Sequence, residues 1–194
     1  MNYGFIYCLG NEAMPSIFKI GMTERAPSQR VMELSGSTSA PLPFDLLCFG
    51  EVEDPRSTEA SIHAHFANRR VNASREFFRG CYSDFAEIIE EYVSTFAQTA
   101  EGAIQGHKDS LFTKYIHAEG AQERAIALIE AAAFEGKKLW TDGKIIHSTG
   151  PICRYSWIGC AIYSLREELL NRLPTRKPES NVARLLRDME GEKA

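Results

Sequence analysis

Gly4-Phe5-Ile6-Tyr7-Cys8-Leu9-Gly10 is followed, after a turn-forming stretch that contains Pro15, by Phe18-Lys19-Ile20-Gly21-Met22-Thr23. Both runs are short, apolar and rich in β-branched and aromatic side chains, and residues 11–16 between them carry turn chemistry, so the pair reads as a β-hairpin. One hydroxyl, Tyr7, and one amine, Lys19, interrupt these apolar strands. A lysine inside a strand of a buried sheet is costly unless it meets a partner or water. Lys19 therefore points either to solvent or to a site.

The two runs resemble the signature of the GIY-YIG nuclease superfamily, with Gly4-Phe5-Ile6-Tyr7 as the first element and Lys19-Ile20-Gly21 as the second. Lysine stands where the second motif usually has tyrosine, as it also does in a phage-type branch often labelled simply as DNA-binding. The resemblance covers about the first half of the chain. It implies a small α+β domain, a metal-dependent cut in a DNA phosphodiester, and a Mg²⁺ or Mn²⁺ cofactor.

The residues downstream give the same order of elements independently. A helix is expected over 28–35, then a loop rich in small residues and proline over 36–43, then a buried strand over 44–52. A second helix is expected over 57–68 with Ser57 as its cap. An amphipathic helix over 83–96 buries Phe85, Ile88, Ile89, Tyr92, Val93 and Phe96. The expected fold class is α+β, a mostly antiparallel three-stranded sheet flanked by helices over residues 1–97.

Residues 98–109 are polar with Gly102 and Gly106 and read as a linker. Residues 110–194 are expected to be mainly helical: a helix over 121–134, a turn at 136–138, short strands near 139–140 and 144–147, a long helix over 156–173, a loose connector and a terminal helix over 181–190. No catalytic spacing stands out among His117, Trp140, Asp142, His147 and Trp157. Nuclease modules of the resembled superfamily are commonly joined to targeting domains, which gives this half a candidate role in choosing the substrate or partner.

Composition, 44% hydrophobic and 25% charged, is that of an ordinary globular chain rather than a disordered one. The first residues lack a basic and an apolar signal region, no run is long enough to span a bilayer, and the expectation is a cytoplasmic protein without a membrane partner. Five cysteines are widely spaced with no Cys-x-x-Cys pair and are expected to be reduced and mostly buried. The net charge of −4 gives no global attraction to nucleic acid. Any DNA-binding face must be local.

Cutting a phosphodiester requires a base for the attacking water, a cation on the leaving oxygen and positive charge on the phosphate. By resemblance, Tyr7 is the base, Arg30 neutralises the phosphate and Glu59 holds the metal; a phenol of ordinary pKa about 10 needs help to act as a base, and a nearby cation, Lys19 or a metal, is expected to tune it. Arg30 falls one residue late against the usual spacing, an offset Pro27 can absorb. A single carboxylate suffices for Mg²⁺, which completes its shell with water and phosphate oxygens. Glu59, Ile62, His63 and Phe66 share one helix side, so His63 stands beside Glu59. His65 points elsewhere, and the two histidines cannot form a zinc pair. Asn72 lies near the place of a supporting asparagine, and Arg69, Arg70, Arg75 and Arg79, interleaved with Phe77 and Phe78, form the local basic segment suited to phosphate contact.

Each of these residues also has a plain structural reading: a satisfied core tyrosine or histidine, a solvated surface arginine, a helix-terminal glutamate. Two other functions therefore stand beside the nuclease: a DNA-binding module with weak or no cleavage, and a protein-interaction scaffold.

Overall fold

The structure is a computed structural model and describes residues 3–36, 42–154 and 156–175. The chain divides into two compact units, Met1–Asp109 and Ser110–Ala194.

The first unit is built on β1 (Gly4–Gly10), β2 (Ile17–Thr23), β3 (Asp45–Val52), β4 (Phe77–Arg79) and β5 (Thr95–Gln98), with helices α1 (Pro27–Ser35), α2 (Pro55–His65) and α3 (Tyr82–Tyr92). The strands form one antiparallel sheet in the order β4-β2-β1-β3-β5. The expected three strands are thus five. The two additional strands came from segments with other sequence readings. Residues 77–79 were read as part of a basic segment, and residues 95–96 as the end of a helix. That helix stops at Tyr92, since Val93 takes extended backbone. The β-branched and aromatic run that follows pairs along β3, with Phe96 opposite Gly50.

Alternation along β1 and β2 splits the apolar side chains between two cores. Ile6, Cys8, Phe18, Ile20, Cys48 and Phe78 join Ile62 of α2, Phe66 just beyond its end, and Phe85 and Ile89 of α3. On the other face Tyr7, Leu9 and Phe44 pack with Val31 and Leu34 of α1 and with Phe77. Helix α2 begins two residues before the expected start, because Asp54 rather than Ser57 caps it and Pro55 occupies its first turn. The Asp54 carboxylate accepts from Ser57 N–H at 3.1 Å.

Residues 98–109, expected as a linker, are helical from Ala100: α4 (Ala100–His117) runs through the boundary between the units. Its start is fixed on an irregularity of β3, where the register with β1 shifts between Cys8 and Leu9. The Leu47 carbonyl left there accepts from Thr99 N–H at 3.0 Å and from the Tyr82 hydroxyl at 3.3 Å. Gly102 passes so close to this carbonyl that a Cβ would overlap it. One of the two glycines in this polar stretch, Gly102, thus marks a close backbone approach.

The second unit contains the end of α4, α5 (Ala121–Phe134), the hairpin β6 (Leu139–Thr141) and β7 (Ile146–Ser148), α6 (Trp157–Ser164) and α7 (Arg166–Arg172). Leu111, Leu128, Leu139, Ile158, Ala161, Leu169 and Leu173 form its core. The helix expected over 156–173 is broken at Leu165, where the Ser164 hydroxyl bonds back to the Cys160 carbonyl at 3.0 Å. The helix expected over 181–190 and the connector from residue 176 lie outside the described residues. All five cysteines are free, as expected, but only Cys8 and Cys48 are buried; Cys153 and Cys160 are exposed, which corrects the expectation of mostly buried thiols. No helix among the described residues is long and apolar enough to cross a membrane.

Candidate active site at the open edge of strand β2

Strand β4 pairs with β2 only from Ile17 to Lys19. One further bond, Ile20 N–H to the Glu76 carbonyl at 3.2 Å, ends the ladder. Beyond it the edge of β2 is taken by side chains from α2. The His63 ring donates from Nε2 to the Ile20 carbonyl at 2.9 Å, and one turn earlier the Glu59 carboxylate comes under the influence of Met22 N–H. Both strand positions face one edge, because groups two residues apart along a strand point the same way, and Glu59 and His63 match them with a spacing of one helical turn. Bonded in this way, His63 is a neutral imidazole with its proton on Nε2, which leaves Nδ1 facing the Arg70 guanidinium at 3.5 Å. Burial lowers its pKa.

Tyr7 reaches the same edge from the opposite face of the sheet. It stands directly across from Gly21, and its ring lies over that residue: a Cβ at Gly21 would sit 2.6 Å from the hydroxyl oxygen and 2.8 Å from Cζ. The second motif's glycine is therefore the gap through which the tyrosine passes. Tyr7 is 1% exposed, and the Arg30 guanidinium acts on its hydroxyl. Arg30 in turn holds Glu33 at 3.3 Å. Burial pushes the Tyr7 pKa up, Arg30 opposes that rise, and the carboxylates of Glu76 and Glu59 add to it. All four groups thus share one electrostatic neighbourhood.

Lys19 was expected to tune Tyr7. Instead, its ammonium is engaged by Glu76, and the cation on the Tyr7 hydroxyl is Arg30. Lys19 is 8% exposed, with its amine 5.7 Å from the centre of the Phe77 ring. Burial works against ionisation of Glu76, but the Lys19 bond outweighs it and holds that carboxyl below its ordinary value. Glu59 has the opposite balance: burial and then the charge of Glu76 raise its pKa, and Met22 N–H, Lys19 and Arg70 only partly compensate.

Glu76 is the residue sequence reading missed, because by sequence it is one acid inside a segment of four arginines. The available signal was Lys19 itself, a strand lysine that needed a carboxylate.

Of the basic segment, Arg69 is committed to the fold: it bonds Asp84 at 2.6 Å and lies over the Phe66 ring. Arg70 stacks on Phe78 and donates to the Arg75 carbonyl at 2.8 Å, so it joins the segment to the β2 edge. Asn72 closes its own turn, its side-chain oxygen accepting from Ser74 N–H and Oγ, both at 2.9 Å. Arg75 and Arg79 are exposed. A shallow concavity is lined by Asn68, Arg69, Arg70, Val71 and Arg79.

Among the described residues no group of three or more His, Cys, Asp and Glu could cage a metal ion. The donor set does fit a hard divalent ion held by one carboxylate. Glu59 is half-buried under the repulsion of Glu76, and among the described residues no ion pair engages its carboxylate.

Comparison with known proteins gives one match. The family model described as the T5orf172 domain, associated with the GIY-YIG nuclease clan, matches residues 4–93, the segment that contains every residue of the β2-edge cluster. No curated protein and no solved structure matches the chain.

Proposed function

We propose that the first unit is a metal-dependent DNA endonuclease whose active site is the β2 edge. The observation that carries this reading is the meeting of Tyr7 and Glu59 at one edge from opposite sides of the sheet, with the Arg30 guanidinium acting on the tyrosine hydroxyl.

In this reading Tyr7 takes the proton of the attacking water. Burial keeps it a phenol at neutral pH, so it works as the minor phenolate form, which the Arg30 guanidinium stabilises. Arg30 spans the Tyr7 hydroxyl and, in place of Glu33, a non-bridging phosphate oxygen, a task suited to a planar guanidinium. Glu59 would hold Mg²⁺ or Mn²⁺, which supplies charge stabilisation at the phosphoryl and leaving oxygens. His63 fixes the strand edge and keeps Nδ1 toward Arg70. Arg70, Arg75 and Arg79 contact backbone phosphates, with Asn72 shaping their turn and Arg69 bracing it from Asp84. Residues 110–194 choose the DNA or a partner protein; a fragment of residues 1–117 that keeps the full affinity and preference would remove that role.

A second reading has support in the 1% exposure of Tyr7: the same fold binding DNA without cutting it. Nicking of plasmid and branched DNA in Mg²⁺ or Mn²⁺ separates the two. The nuclease reading expects nicking that Tyr7→Phe, Arg30→Ala and Glu59→Gln each abolish. Salt-sensitive binding reduced by Arg75→Ala or Arg79→Ala, with no nicking under either metal, establishes the binding module instead.

A further inference from the structure

The Lys19–Glu76 pair supports an inference that rests on Glu59 as the carboxylate for the divalent ion. Lys19 is enclosed, its stem lies against Phe77, and two carboxylates act in its surroundings. Glu76 bonds the ammonium directly, while Glu59 feels its charge without a bond. Both acids are held at Ile20 of β2: the Glu76 carbonyl accepts from Ile20 N–H at 3.2 Å, and the helix that carries Glu59 is fixed one turn later by His63 on the Ile20 carbonyl at 2.9 Å. An ammonium in so enclosed a place cannot stand unpaired. Without Glu76, the carboxylate on which its charge already acts is Glu59.

We propose that Glu76 is a positioning residue that holds the Lys19 ammonium off Glu59 and so leaves Glu59 open to a divalent cation. Two features make this arrangement specific to the pair. Register places Phe77 opposite Lys19, which sets Glu76 at the point where the β4 ladder ends. Glu76 also keeps its side chain 42% exposed, so it can satisfy Lys19 without being sealed in the core. Lysine at position 19 then requires an acid at position 76, and the two act as a unit.

The test is Mn²⁺ binding to the full chain, read as loss of the free-ion paramagnetic resonance signal, a measure independent of DNA cleavage. Glu76→Gln is expected to weaken Mn²⁺ about tenfold, the scale of one new ion pair between Lys19 and Glu59 in a half-buried site. Adding Lys19→Met to Glu76→Gln removes the competing cation and is expected to restore affinity to within about twofold of wild type. Glu76→Asp keeps a carboxylate and loses little, which leaves the inference testable if Glu76→Gln folds poorly. Unchanged binding in Glu76→Gln overturns the proposal, as does a double variant no tighter than the single one, since Glu76 would then be acting as a ligand itself. Glu59→Gln separates this failure from that of the underlying reading: if it leaves Mn²⁺ binding intact, the ion is not on Glu59 and both fall.

Discussion

Gly21 and Tyr7 form the tightest residue-level constraint in the site. A methyl group at position 21 would meet the Tyr7 ring at 2.6–2.8 Å, and because the ring is enclosed it cannot simply swing away. Gly21→Ala is expected to cost about 1–3 kcal/mol, measured by urea unfolding, and to displace the hydroxyl from Arg30. A neutral effect would mean that the tyrosine does not lie over the glycine. Glu59 gives a prediction of opposite sign. Burial and Glu76 raise its folded pKa above the unfolded value of about 4.3, so the folded state binds the proton more tightly. Its contribution is therefore favourable below the unfolded value and is lost as pH rises through the folded one. At pH 7 the ionised group destabilises the fold, and Glu59→Gln is expected to raise stability by about 0.5 kcal/mol, allowing for screening of a half-buried carboxyl. That gain should vanish toward pH 4, which melting curves across pH 4–8 will show. At this scale the strand position of Tyr7 and the shared helix side of Glu59 and His63 were legible, since each sits in a short motif or at a helical spacing. Glu76 was not, because its role depends on where β4 stops pairing with β2, and that is a matter of register between segments more than fifty residues apart.

Helix α4 shows how an element's sequence can hide its place. Gly102 and Gly106 in a polar segment read as a linker, yet Gly102 is small because the Leu47 carbonyl occupies the space beside it. Gly→Ala in an exposed helix interior ordinarily gains about 1 kcal/mol. Gly102→Ala is expected instead to lose about 2 kcal/mol or more in equilibrium unfolding, because the obstruction is a backbone oxygen already held by Thr99 and Tyr82. A gain would show that α4 does not rest on β3. The first hairpin, the first two helices and the amphipathic character of α3 were legible from periodicity and punctuation. Strands β4 and β5 were not: one is three residues long, the other four, and both depend on edge positions offered by β2 and β3.

At the scale of the molecule, the boundary between the two units falls inside α4 rather than in a loop. The helix serves the first unit through Thr99 on the Leu46 carbonyl at 2.6 Å and through Asp109, which accepts from Ser83 N–H at 2.9 Å and so caps α3 from outside. A fragment of residues 1–97 lacks both anchors and is expected to be about 2–3 kcal/mol less stable than a fragment of residues 1–117, at about 1 kcal/mol for each hydrogen bond lost. Equal denaturation midpoints would show that the helix adds nothing to the first unit. Net charge of −4 over the whole chain concealed the arrangement of charge at the β2 edge, where Lys19, Arg30 and Arg70 stand among Glu33, Glu59 and Glu76. Their pairing depends on the fold, and composition cannot report it.

The central claim, that Tyr7 and Glu59 serve one reaction at this edge, is tested most directly by single-turnover cleavage of plasmid DNA in Mn²⁺ by wild type, Tyr7→Phe, Glu59→Gln and the double variant. Residues that act as a unit are strongly non-additive. Each single substitution is expected to lower the rate by about a hundredfold or more, and the double variant to be no slower than the slower single one. Cleavage at the wild-type rate in either single variant, or losses that multiply in the double, would contradict the claim.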